Sequence, residues 1–441
     1  MKTFRVLFPV ILLFPLIFLF SCNQKNSDLT SEAVEKTDSC QQAPKVTYKV
    51  FVPKTNSGCS NLPLLIVLDP HANGKLSVRK FKKAANRFSC IIIASSTIKN
   101  GSQDYVNTIK LLIDNAHAKY SEGKIIYLAG FSGGARMALN YAQYFPVNGV
   151  IACGAMSAPE QLNTINCPVM CIVGMSDFNF IEAAQYIFNP EQAPKVLNLR
   201  FTTETHAWPD ENTLTEALGI LFLHQDNKKV CSPVKKSMQN FEKSLTEKFD
   251  SLMKSDQFID AALLARNLSK IETLSFDDRL QTVEYSPGFN QALNSLRESI
   301  RFELTVRNAY YSALNNEDLE WWKQEIASIN KNLEEDTDFY RKYALERIKG
   351  FLGIMCYSLC DNSFKNNDLS STGKILDIYK MIEPANPDMY YFTALFEYKT
   401  GHTERVEELL HQAIQSGFSD MIRMKSDFPK AIVSPLLFKE N

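Results

Sequence analysis

An excess of charge of either sign is missing from this chain of 441 residues: 48 Lys and Arg face 49 Asp and Glu, a net of −1. That balance excludes the basic footprint of a nucleic-acid-binding protein. Histidine is scarce, at 6 residues. Neither the histidines nor the 10 cysteines fall into a metal-ligand spacing, so no metal and no other cofactor is expected. The N-terminal apolar run Val6–Phe20 holds only 15 residues, short of the ~20 that a membrane-spanning helix needs. With 45% hydrophobic and 22% charged residues, collagen-like and wholly disordered chains are excluded. What remains is an ordinary globular protein of two or three domains.

The apolar run follows Lys2 and Arg5 and contains Pro9 and Pro15, which suits a secretory signal better than a rigid anchor helix. It ends Leu19-Phe20-Ser21-Cys22, which resembles a bacterial lipobox, with Phe20 where a small residue is usual. That resemblance implies a signal peptide over 1–21, lipidation of Cys22, and a membrane partner at the bacterial cell envelope, on the outer membrane. A plain secretory signal is the alternative. Residues 22–44 are polar and read as a flexible tether. Removing a lipidated Cys22 leaves nine cysteines, an odd number that requires at least one unpaired or intermolecular thiol. Cys90, Cys153 and Cys171 lie in apolar runs and are expected to be buried small hydrophobes.

From residue 46 to about 225, β-rich runs alternate with helical patterns. The expected strands are Val46–Val52, Leu62–Leu68, Cys90–Ala94, Lys124–Ala129, Gly149–Cys153, Val169–Val173 and Val196–Phe201. Helices are expected near 78–88, 104–119, 134–145, 180–188 and 211–224. Such alternation predicts an α/β fold with a mostly parallel sheet covered on both faces, over residues 45–226. Residues 227–236 read as a linker, and from 237 to 441 only helical spacing recurs. Asn386-Pro387-Asp388, Ala394, Gly401, Leu410 and Ala413 resemble a tetratricopeptide unit, in which small residues let two helices approach. A helical bundle without repeats is the alternative. The two halves carry net charges of +7 (45–236) and −8 (237–441), which favours their docking.

Gly130-Phe131-Ser132-Gly133-Gly134 sits between an apolar strand and a helical run. A sharp turn there needs glycines so that backbones can approach while the serine hydroxyl rises above the sheet. A nucleophile of this kind needs a base and an orienting acid, which follow in the order acid, then His. After Ser132 the histidines are His206, His224, His402 and His411. His206 follows an expected strand, where the catalytic loop belongs, and Asp177 ends another. The expected catalytic set is Ser132, Asp177 and His206. The oxyanion donors are expected to be the N–H groups of Gly133 and, on the loop after Leu62–Leu68, Ala72. His71 and Trp208 are expected to line the substrate.

With these residues in place, positions 46–225 resemble the compact α/β-hydrolases related to polyhydroxybutyrate depolymerases and feruloyl esterases. That family carries a Gly-x-Ser-x-Gly elbow, an acid after a Val-Gly-x-x-Asp strand end and a His-x-Trp-Pro loop. Val173-Gly174-Met175-Ser176-Asp177 and His206-Ala207-Trp208-Pro209 match it; His71-Ala72 departs from the family's His-Gly. The resemblance implies a serine carboxylesterase acting on a small ester or an acylated polymer. Two alternatives stay open: a serine peptidase, and a non-catalytic interaction protein on a weakened hydrolase domain. Only 73 residues separate Ser132 from His206, leaving no room for a large helical lid. The helical half is expected to bind a protein partner and to contribute no catalytic group, so a fragment ending at Lys236 should keep its activity.

Overall fold

The computed structural model describes residues 33–54, 61–121, 123–225 and 232–437, and structural statements refer to these. The signal segment and Cys22 lie outside them. Eight strands form one sheet: β1 (Val34–Cys40), β2 (Ala43–Val52), β3 (Leu64–Leu68), β4 (Ile91–Ser95), β5 (Ile126–Phe131), β6 (Gly149–Cys153), β7 (Val169–Gly174) and β8 (Leu197–Thr202). Their spatial order is β1-β2-β4-β3-β5-β6-β7-β8. β2 is antiparallel to both of its neighbours, and every other pairing is parallel. This is the α/β-hydrolase fold.

The connections hold α1 (Gly74–Phe88), α2 (Tyr105–Lys119), α3 (Gly133–Tyr144), α4 (Pro159–Leu162), α5 (Phe180–Phe188) and α6 (Glu211–Leu223). α1 packs with α6, and α2 with α3. Every residue of β3, β4, β6 and β7 is buried, which is why these strands read as continuous apolar runs instead of alternating ones.

The sheet starts earlier than the sequence suggests. Part of the expected tether, Val34–Cys40, is an edge strand, with Val34 opposite Val52 and Lys36 opposite Val50. Lys119 Nζ bonds Asp38 Oδ1 at 2.9 Å and so ties this strand to α2. Its outward residues are polar and exposed, so it lacks the apolar content by which strands are recognised.

Beyond the sheet come α7 (Ser232–Lys254), α8 (Phe258–Ser269), α9 (Asp277–Glu284), α10 (Pro287–Asn316), α11 (Leu319–Glu335), α12 (Phe339–Asn366), α13 (Thr372–Ile382), α14 (Pro387–Thr400), α15 (Val406–Gln415), α16 (Met421–Asp427) and α17 (Lys430–Leu437). Capping side chains set several starts: Ser286 accepts from Phe289 N, Asp338 from Tyr340 N, and Asn386 from Asp388 N. Ala394 and Ala413 are fully buried where α14 meets α15, and Gly401 ends α14 at φ +88°. Among the described residues no helix is long and apolar enough to cross a membrane.

Residues 227–231 of the expected linker lie outside the described residues. α7 already begins at Ser232. One hydrophobic core runs from the sheet through Met238, Phe241, Leu245, Leu263, Leu268 and Leu296; a second, from Tyr310 to Val433, belongs to the later helices. Phe241 meets Phe88 edge-on at 5.6 Å between ring centroids. At the sheet's far edge Asn267 of α8 is 4% exposed. Its carboxamide accepts from Leu199 N at 3.0 Å and donates to Leu199 O at 2.8 Å, standing in for a ninth strand on β8. The opposite charges of the two halves meet at Arg200–Asp260 (2.6 Å) and Lys99–Asp420 (3.4 Å). The helical half is therefore built onto the sheet from its first turns.

Candidate active site

Ser132, Asp177 and His206 follow the C-terminal ends of β5, β7 and β8, the end at which open α/β sheets bind ligands. Ser132 holds φ +52° and ψ −119°, a conformation costing a non-glycine residue about 1–3 kcal/mol. Its N–H donates to Cys153 O at 2.8 Å. Gly130 and Gly134 make this turn possible by closeness. A Cβ on Gly130 would lie 2.3 Å from the Gly134 carbonyl, and one on Gly134 would lie 2.2 Å from Leu68 O.

His206 Nε2 is 3.0 Å from Ser132 Oγ. Its Nδ1 is 3.0 Å and 2.9 Å from the two Asp177 carboxylate oxygens. With the proton assigned to Nδ1, the imidazole donates to Asp177 and accepts from the serine hydroxyl. Asp177 is 1% exposed and also accepts from Asn179 N at 2.8 Å. The rings of Phe131 and Phe178 flank the imidazole at 4.8 Å and 4.3 Å, which limits its rotation. Gly133 opens α3, and the N–H of a first helical residue has no partner within its own helix. The Asn100 carboxamide lies against this residue, so a Cβ at position 133 would fall 1.9 Å from Asn100 Oδ1.

Two expected site residues stand elsewhere. Ala72 has φ +58°, and its N–H donates to Asp69 O at 3.0 Å, so it closes a turn and is not free for an oxyanion. The neighbouring amides of His71 and Asn73 both go to Asp69 Oδ1, at 2.9 Å and 3.2 Å. Trp208 is 7% exposed. Its indole N–H donates to Asp69 Oδ2 at 2.8 Å, and its ring packs on Phe131 at 5.4 Å. It braces the histidine loop against the β3 loop. The His71 side chain is exposed and near Asp388 of α14, whose carboxyl burial raises while Arg423 and His71 pull it back down. Sequence reasoning missed Asp69, Asn100 and Phe178; only Asp69, at a strand end, carried a positional signal.

No protein-family model matches the sequence, and no curated protein does. Solved structures similar to the chain include S-formylglutathione hydrolase of Staphylococcus aureus, 13% identical, covering 42% of this chain and 94% of that one at a TM-score of 0.35. An esterase of Pyrococcus furiosus is 15% identical, with coverage of 44% and 92% and a TM-score of 0.34. A ferulic acid esterase is 17% identical, with coverage of 43% and 97% and a TM-score of 0.35.

Proposed function

We propose that the protein is a serine hydrolase acting as a carboxylesterase, with Ser132 as nucleophile, His206 as general base and acid, and Asp177 orienting the imidazole. The observation that carries this is the unbroken Ser132–His206–Asp177 hydrogen-bond chain, all at 2.9–3.0 Å. Ser132 Oγ attacks the ester carbonyl as its proton passes to His206 Nε2. The oxyanion forms against the Gly133 N–H at the positive end of α3. Collapse expels the alcohol, protonated by His206, and leaves an acyl-serine. Water, deprotonated by His206, then releases the acid.

A second reading is an interaction protein whose hydrolase half has lost its strength; the inward-turned amides of His71, Ala72 and Asn73 favour it. A panel of p-nitrophenyl esters and peptide p-nitroanilides separates the readings. The esterase reading expects turnover of short esters, little anilide cleavage, and loss of both in His206→Ala. Anilide turnover dominating the panel would make the protein a peptidase. Absence of turnover on every substrate would leave the interaction reading. Anchoring through a lipidated Cys22 is part of the proposal. It rests on the lipobox-like sequence, and an unmodified mature N-terminus in mass spectrometry would overturn it.

A further inference from the structure

The loop that carries Asp177 is held by the helical half. Arg347, in the third turn of α12, donates from Nη1 to Met175 O at 2.5 Å across 172 positions of sequence. Arg307 of α10 donates from Nη2 to Phe178 O at 3.0 Å. These two carbonyls bracket the acid, one two residues before Asp177 and the other one residue after it. Glu303 joins the two guanidiniums: its Oε2 is 2.6 Å from Arg347 Nε and its Oε1 2.6 Å from Arg307 Nη2. Glu303 and Arg347 are both fully buried. Arg347 also lies over the Phe180 ring at 4.8 Å.

Burial pushes the Glu303 carboxyl up and both guanidiniums down, while the opposite charges pull each group back. Such an arrangement is a poor device for stability alone, since buried ion clusters are often replaced by apolar side chains without loss. What apolar residues cannot do is donate to carbonyls. The same helices reach the imidazole by another route. Gly350 of α12 packs on Phe178, where a Cβ would meet Cδ1 at 3.2 Å, and the Phe178 ring covers His206.

We propose that Glu303, Arg307 and Arg347 are positioning residues for the reaction: a clamp from the helical half that fixes the Asp177 loop and, through Asp177 and Phe178, the angle of His206. The inference rests on the serine-hydrolase reading. It makes the helical half part of the catalytic apparatus although, among the described residues, no helical side chain hydrogen-bonds Ser132 or His206. Misplacing a catalytic group by about 1 Å costs about a hundredfold in rate, and that is the scale expected when the clamp is removed.

The test uses the full chain with p-nitrophenyl acetate, measuring kcat and KM separately alongside thermal unfolding. Glu303→Met combined with Arg347→Met removes both fully buried charges and keeps an apolar fill. The clamp predicts kcat lower by about a hundredfold, KM nearly unchanged, and a cooperative unfolding transition. Arg347→Lys, which keeps a donor, is expected to hold kcat within about tenfold of the parent. A folded double variant with parental kcat overturns the clamp. Should the double variant not fold, Arg307→Met decides, because that side chain is 14% exposed and its loss leaves the Arg347–Glu303 pair intact. It is expected to lower kcat with KM unchanged, and parental kcat there overturns the proposal. A parent chain without any turnover would instead overturn the hydrolase reading itself, and the clamp with it.

Discussion

Replacing Ser132 with alanine is expected to lower kcat on a short ester by about a millionfold, the scale seen when the nucleophile of such a triad is removed. The loss is large because the three side chains act as one unit: without Oγ, the base held by Asp177 has no proton to take. Stability should change by no more than about 1.5 kcal/mol, since one partly exposed hydrogen bond to His206 is lost. Alanine inherits the strained φ of +52°, so the strain is not relieved. KM should stay near the parental value, because Oγ contributes to the transition state far more than to ground-state binding. Steady-state kinetics of purified parent and variant read both numbers. A variant retaining a tenth of parental kcat would place the nucleophile elsewhere.

A fragment ending at Lys236 is expected to be unfolded or aggregated, the reverse of what the polar stretch 227–236 suggests. It would strip the sheet of α8 and leave Leu199 N and O on β8 without the Asn267 carboxamide. Most of α7 goes too, so Phe88, which stacks on Phe222, loses the cover of Phe241. Returning a large apolar side chain to water costs about 1.5–3 kcal/mol. A handful of such losses equals the whole net stability of a domain, about 5–15 kcal/mol. An exposed apolar edge strand also invites pairing between copies. Circular dichroism melting and size-exclusion chromatography of the fragment check this. A soluble monomer with a cooperative melt near that of the full chain would show that the helices are dispensable.

The parts of the fold that were legible in sequence are those in which local pattern and burial coincide. β3, β4 and β6 are apolar at nearly every position because helices cover both faces, and the Gly130–Gly134 turn announces itself by composition between a strand and a helix. His206 stood out because few histidines follow Ser132, and Asp177 because it ends an apolar run. β1 was hidden because an edge strand with one solvated side, Glu35-Lys36-Thr37-Asp38, has the composition of a tether. Ala72 shows a different limit. Residue type says nothing of where an amide points, and the turn that binds it to Asp69 O depends on a φ of +58°, unusual for alanine. Trp208 matched a motif, yet its indole N–H is aimed at a carboxylate 139 positions away. Arg347 and Glu303 look like ordinary charged positions on helices, and only three-dimensional packing turns them toward the acid loop.

If Ser132 is an activated nucleophile, covalent trapping will find it. The full-length protein would be incubated with a fluorophosphonate probe and digested, and the modified peptide located by mass spectrometry. One stoichiometric adduct is expected on Ser132, absent from Ser132→Ala and strongly slowed in His206→Ala. An unlabelled parent protein, or an adduct that persists on another residue in Ser132→Ala, would contradict it.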